Sequence, residues 1–249
     1  AITAPSTSDT YSVTVDLTEA VTTTGDLPTL NLTGGGAGKP WTFGQPFKKG
    51  AANYLAASGP SSFQADIRNR WNDGSIKFAV LSGIGGTTVT LNSAVSDPGG
   101  TALTLAQFRT AFTGTNTISV GAHTVTLSTL FADAPQRTVC TGPVMSNWIW
   151  RQVLSGGPGL WLWVGGRYYS KGAIELFPWV ENAVLRTVSP VNFVGTCTVT
   201  VNGTQRFSQS VDFKARTRIP LLNGSLSYWH GTDPGITPVH DSAYLKATK

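Results

Sequence analysis

The chain has 249 residues, of which 40% are hydrophobic and only 12% are charged. That is enough apolar material for a sizeable core and too little charge for a disordered chain. With 28 Gly and 14 Pro the composition excludes a helical bundle, and no apolar run reaches the ~18 residues of a membrane-spanning helix. The formal net charge is +5, from 18 Lys and Arg against 13 Asp and Glu. The basic residues are scattered in ones and twos, without the stripe that a nucleic-acid binder concentrates on one face. Neither a nucleic-acid partner nor membrane insertion is expected.

Period-2 alternation, the signature of half-buried strands, runs through the sequence. Tyr11-Ser-Val-Thr-Val-Asp-Leu17 opens it, and further strands are predicted near 27–33, 62–69, 75–82, 87–91 and 116–127. Two short helices interrupt them: 104–111, with Thr104 as its cap, and 128–133. A second, more aromatic series is predicted at 137–154, 159–169, 172–188, 194–201, 204–214 and 217–230. Asn202-Gly203 lies between two alternating runs and is a strong hairpin signal, because a type I′ turn needs positive φ at both central residues. Asp241 reads as the cap of a helix that starts at the end of the chain. The expected fold class is all-β: one or two antiparallel β-sandwiches with short helical insertions. The expected organisation is a first sandwich over 1–135 and a second over 136–235, in one continuous fold or two. Residues 236–249 are expected to start a linker or helix leading to a further region.

Chemistry-bearing residues are sparse. Gly34-Gly-Gly-Ala-Gly-Lys39 has Thr33 where a phosphate loop needs Gly, and Pro40 where it needs Ser or Thr. No Gly-x-Ser-x-Gly elbow presents a nucleophile to any of the three histidines. Glu175 and Glu181 lie six residues apart, so on a regular strand they share a face roughly 20 Å apart. Two-carboxylate glycoside hydrolysis needs about 5–9.5 Å. Cys140 and Cys197 occur in strand-like runs, in no metal-binding spacing, and whether they are bonded is open. No catalytic residue, metal ligand or cofactor is expected.

The aromatics are more informative. Trp148 and Trp150, and then Trp161 and Trp163, repeat at spacing two, so each pair shares a strand face. Such rings fill a core, form a subunit interface or stack on sugar rings. Trp41, Trp161, Trp163 and Tyr169 are the candidate glycan or interface residues.

One stretch carries a resemblance. Phe43-Gly-Gln-Pro-Phe-Lys-Lys-Gly50, Gln64-Ala-Asp66 and Arg70-Trp-Asn-Asp-Gly-Ser-Ile-Lys-Phe-Ala-Val-Leu81 together resemble the N-terminal β-sandwich of exo-rhamnogalacturonan-lyase-like proteins, with Asn72 in place of the usual Pro. Gly172–Asn182 and Pro238–Thr248 are similar to segments of phage-encoded and prophage proteins that carry the same first motif. In the lyases a helical barrel domain houses the chemistry, so no lyase residue carries over to this chain. In the motif itself, Trp71 would anchor a sheet edge, Asp73-Gly74 would close a tight turn, and Ile76, Phe78 and Val80 would face one side of the next strand. The resemblance implies a non-enzymatic structural or interaction module of a phage virion, tail-associated: a fibre, adaptor or host-attachment protein. It would be located in the virion, or otherwise extracellular. Its partners would be other virion proteins, copies of itself and a host surface polysaccharide. The alternative is a carbohydrate-binding accessory domain of a polysaccharide lyase-like enzyme.

Overall fold

A computed structural model describes residues 27–154, 159–182, 191–246 and 248. The strand expected at 11–17 lies outside them. The fold is all-β and antiparallel, with three short helices among the described residues. None of those helices is long and apolar enough to cross a membrane.

The first sandwich uses β1 (Thr29–Thr33), β2 (Pro40–Pro46), β3 (Tyr54–Ser58), β4 (Ser62–Arg70), β5 (Ile76–Ile84) and β6 (Thr88–Ala94). Next come α1 (Leu105–Ala111), β7 (Thr117–Val120), β8 (His123–Thr126) and α2 (Leu127–Ala132). The aromatic part has β9 (Arg137–Cys140), β10 (Met145–Val153), β11 (Leu160–Tyr169), β12 (Ile174–Asn182), β13 (Phe193–Val201), β14 (Thr204–Phe213), β15 (Thr217–Pro220) and β16 (Tyr228–His230). β17 (Thr237–Val239) and α3 (Ser242–Lys246) follow.

Two sheets, β17-β1-β6-β3 and β2-β5-β4, close the first core around Leu30, Leu55, Val89, Trp41, Ile76 and Leu81. The second core lies between the sheet β14-β13-β7-β8 and the aromatic sheet β15-β12-β11-β10-β9, to which β16 is added through β12. Phe108, Phe112, Leu127, Leu130 and Phe131 from the two helices enter that second core. The division expected at 135 is therefore displaced. β7 pairs with β13, so residues 105–132 belong with the second sandwich. Residues 237–239, expected to begin a linker, return instead to pair with β1.

Turn chemistry explains the other departures. The run 116–127 folds as a hairpin around Gly121, which has φ 58°. The run 137–154 is cut by Thr141-Gly-Pro-Val144, and 217–230 is cut by residues 221–227. β2 was hidden in the sequence because prolines bound it, and β3 because it is only five residues long. Where local signals are strong the expectation holds. Thr104 caps α1 through Gln107, and the Asn202-Gly203 turn joins β13 to β14 with φ values of 49° and 75°. Asp241 Oδ1 accepts from the Ala243 and Tyr244 amides.

The Arg70–Leu81 motif closes its turn as expected. Trp71 and Ser75 are joined by a 2.8 Å backbone bond, and Asp73 Oδ1 accepts from the Ser75 amide and hydroxyl. Those two bonds hold the exposed Asp73 carboxyl below its usual range. The Trp71 indole donates to Phe47 O. One detail differs: the core takes Ile76, Ala79 and Leu81, not Phe78 and Val80. The β4–β5 ladder is irregular over Ile67–Arg70, which changes the phase of the alternation, and Phe78 covers Gly44 instead.

Trp41 sits opposite Gly83 on the next strand, with its six-membered ring over the Gly83 Cα. A Cβ there would fall inside the indole. The Gly83→Ala variant is expected to lose about 1–3 kcal/mol of stability, the cost of an overpacked core. A denaturant midpoint unchanged from wild type would contradict this packing.

Candidate functional site

Strand parity divides the aromatic sheet. Leu160, Leu162, Val164, Trp148 and Trp150 point into the second core. Trp161, Trp163, Arg167 and Tyr169 of β11 therefore project from the opposite face, together with Glu175, Phe177, Trp179 and Glu181 of β12. Among the described residues, one end of this outer face is covered by the first sandwich and the other end is not.

At the covered end, Ile84 from β5 packs with Val144, Met145 and Tyr169. Gln64 spans the junction: its Oε1 accepts from the Val144 and Met145 amides at 3.0 Å, and its Nε2 donates to Met145 O. Arg68 donates to Val139 O at 3.0 Å and pairs with Asp66. Burial pushes Asp66 above the usual carboxylate range despite that arginine. Burial, and then the Asp66 charge, push the Cys140 thiol up to about 11. Cys197 in the second core is raised to about 11 by burial alone. Both cysteines are free and protonated, as small core residues are.

A cleft of about 670 Å³ opens between β2, the aromatic sheet and residues 224–238. Its floor is a polar network around Glu175, which is 8% exposed. Ser227 Oγ donates to Glu175 Oε1 at 2.6 Å, and Arg167 and the Tyr169 hydroxyl each donate to Oε2 at 3.1 Å. The Tyr169 oxygen also lies 3.0 Å from Thr42 Oγ1, which in turn lies 2.9 Å from Ser82 Oγ. Burial alone would lower the Arg167 pKa, but Glu175 and Tyr169 outweigh it and hold the guanidinium above its ordinary value. Burial, then the Glu175 charge, push the Tyr169 phenol far up, so it stays a donor. Both oxygens of Glu175 are occupied, which makes it an anchor and not a free base. Trp229 stacks on Tyr169 at 5.6 Å.

At the uncovered end the rings form a ladder across four strands. The Arg151 guanidinium lies 4.2 Å from the centre of Trp161 and 5.1 Å from that of Trp163. Trp163 stacks on Trp179 at 5.7 Å with planes 6° apart. Arg218 lies 5.3 Å from Trp179 and pairs with Glu181. Arg167 lies 4.5 Å over Phe177 in the same manner. Each cation–ring contact of this kind contributes about 0.5–1 kcal/mol where it is exposed.

The four sequence-predicted residues are thus not one stacking platform. Trp41 is 3% exposed and donates its indole N–H to Gly85 O, and Tyr169 is fully buried. Trp163 is held between Arg151 and Trp179, so its ring faces are taken. Trp161 alone remains at the half-exposed surface with a single ring-face partner recorded among the described residues. Missing from the sequence reading were Arg151, Arg167, Arg218, Ser227 and Trp229. The parity of β11 and β12 puts Arg167 and Glu175 on one face, their register sets them opposite each other, and Ser227 and Trp229 arrive from a segment whose path the sequence does not announce.

His230 and His240 meet partners distant in sequence. His230 Nε2 lies 2.6 Å from Thr113 O, and His240 Nδ1 lies 3.2 Å from Gln45 Oε1. Among the described residues no group of three or more His, Cys, Asp or Glu side chains gathers. No protein-family model matches the chain, and no curated protein matches its sequence.

Removing the carboxylate leaves the half-buried Arg167 without its ion-pair partner and the buried Tyr169 hydroxyl with Thr42 alone. The Glu175→Ala variant is expected to lose about 3 kcal/mol, as when one partner of a buried pair is deleted. A loss below about 1 kcal/mol in urea unfolding would show that the network is not an anchor.

Proposed function

We propose that this chain is a non-enzymatic structural and interaction module of a phage virion, tail-associated, working as a homo-oligomer through surface complementarity. The observation that carries this reading is the state of the outer aromatic face. Glu175 and Glu181 are neutralised by arginines, and the ladder rings are faced by one another or by guanidinium groups. Such a surface is rigid before any partner arrives, so little side-chain entropy is lost on docking. The motif resemblance over 43–81 and the phage-like segments at 172–182 and 238–248 supply the virion context. Partners on this reading are other virion proteins and further copies of the chain.

The second reading is a carbohydrate-binding accessory domain. It rests on Trp161 and on the cleft beside Trp229 and Arg167, where aromatic and polar groups converge as in ligand pockets. Native mass by light scattering after gel filtration separates the two. The virion reading expects a closed oligomer that persists on dilution to about micromolar concentration. A monomer that binds acidic polysaccharide in titration would overturn it in favour of the carbohydrate module.

A further inference from the structure

The sheet β14-β13-β7-β8 ends on β14, a ten-residue strand whose second side is unpaired among the described residues. An open edge is a row of backbone donors and acceptors ready to pair with another chain. The other sheet ends are shorter or engaged. β17 has three residues and contains Pro238, β15 ends in Pro220, and the nine-residue β4 turns Gln64 and Arg68 onto the second sandwich. β14 carries no Pro, and its edge devices are a bulge and the exposed charges of Arg206 and Asp212, groups that an opposite-charge partner would match.

Its sequence is also self-complementary. An antiparallel pair of identical strands about a two-fold axis at Gln209 sets Ser208 opposite Ser210 and half-buried Val211 opposite Phe207. The same register sets Arg206 opposite Asp212, twice by symmetry. The β13–β14 ladder has a bulge here: Val199 faces Phe207 and Thr200 faces Gln205, so Arg206 is the extra residue. The bulge leaves Arg206 exposed at the end of the regular stretch 207–213, beside the opposite charge that this register brings.

We propose that β14 is the self-association edge of this protein: two copies pair β14 to β14 across a two-fold axis, joining two four-stranded sheets into one of eight strands. This rests on the assembly reading above and names the surface that carries it. The interface is isologous, so each charge pair occurs twice.

The test is sedimentation equilibrium of the wild-type chain, of Arg206→Asp, of Asp212→Arg and of the double variant. Both side chains are exposed, and circular dichroism checks that each variant is folded. Arg206→Asp sets two like-charge pairs across the axis and should weaken association by about ten-fold or more. Asp212→Arg should do the same while also breaking the Asp212–Lys214 ion pair within one chain. The double variant restores opposite charges and should recover to within about three-fold of wild type. Association that is unchanged in both single variants would overturn the β14 pairing and leave the assembly reading intact. Single-variant loss without recovery in the double would overturn the two-fold register. A wild-type monomer at all concentrations would overturn both proposals.

Discussion

A buried carboxylate holds this structure together. Glu175 sits where two sandwiches meet, and an ion in such a place costs several kcal/mol unless donors replace its lost water. Here the donors come from separate parts of the chain. Arg167 and Tyr169 lie on the neighbouring strand, and Ser227 lies in the segment that leads into β16. Through the Tyr169 hydroxyl the network reaches Thr42 and Ser82 in the first sandwich. Satisfying one charge therefore fixes the aromatic sheet, the returning segment and the first sandwich relative to one another.

The rest of the architecture follows from that junction. The aromatic sheet has an inner face committed to the second core and an outer face that is only partly covered. Gln64 and Arg68 bring the edge of the first sandwich onto the covered end by bonding to main-chain groups, which suits an interface with few apolar side chains to spare. Beyond the covered end, arginines and tryptophans from successive strands stack on each other. The ladder keeps large rings ordered at a surface that is half-exposed among the described residues. It also occupies ring faces of Trp163 and Trp179 and leaves Trp161 with one guanidinium partner among the described residues.

Local signals in the sequence were reliable. The Thr104 cap, the Asn202-Gly203 hairpin, the Asp73-Gly74 turn and the alternation of β13 depend on neighbours within a few residues, and each is found as expected. The all-β class followed from the same signals. What failed were three long runs cut by turns, the alternation after Ile76 where the β4–β5 ladder is irregular, and readings that depend on distant pairing. The boundary at 135 ignored that β7 would find β13, about 80 residues away in sequence. Trp41 and Tyr169 looked like available rings because nothing local shows that Gly83 and Thr42 await them across the fold. Glu175 and Glu181 were legible as sharing a face of one strand. Their arginine partners required the register between strands.

The central claim is that the Glu175 junction makes the two sandwiches one cooperative unit, and calorimetric unfolding of the wild-type chain tests it most directly. The account predicts a single transition whose calorimetric and van't Hoff enthalpies agree. Two resolved transitions, one for each hydrophobic core, would contradict it.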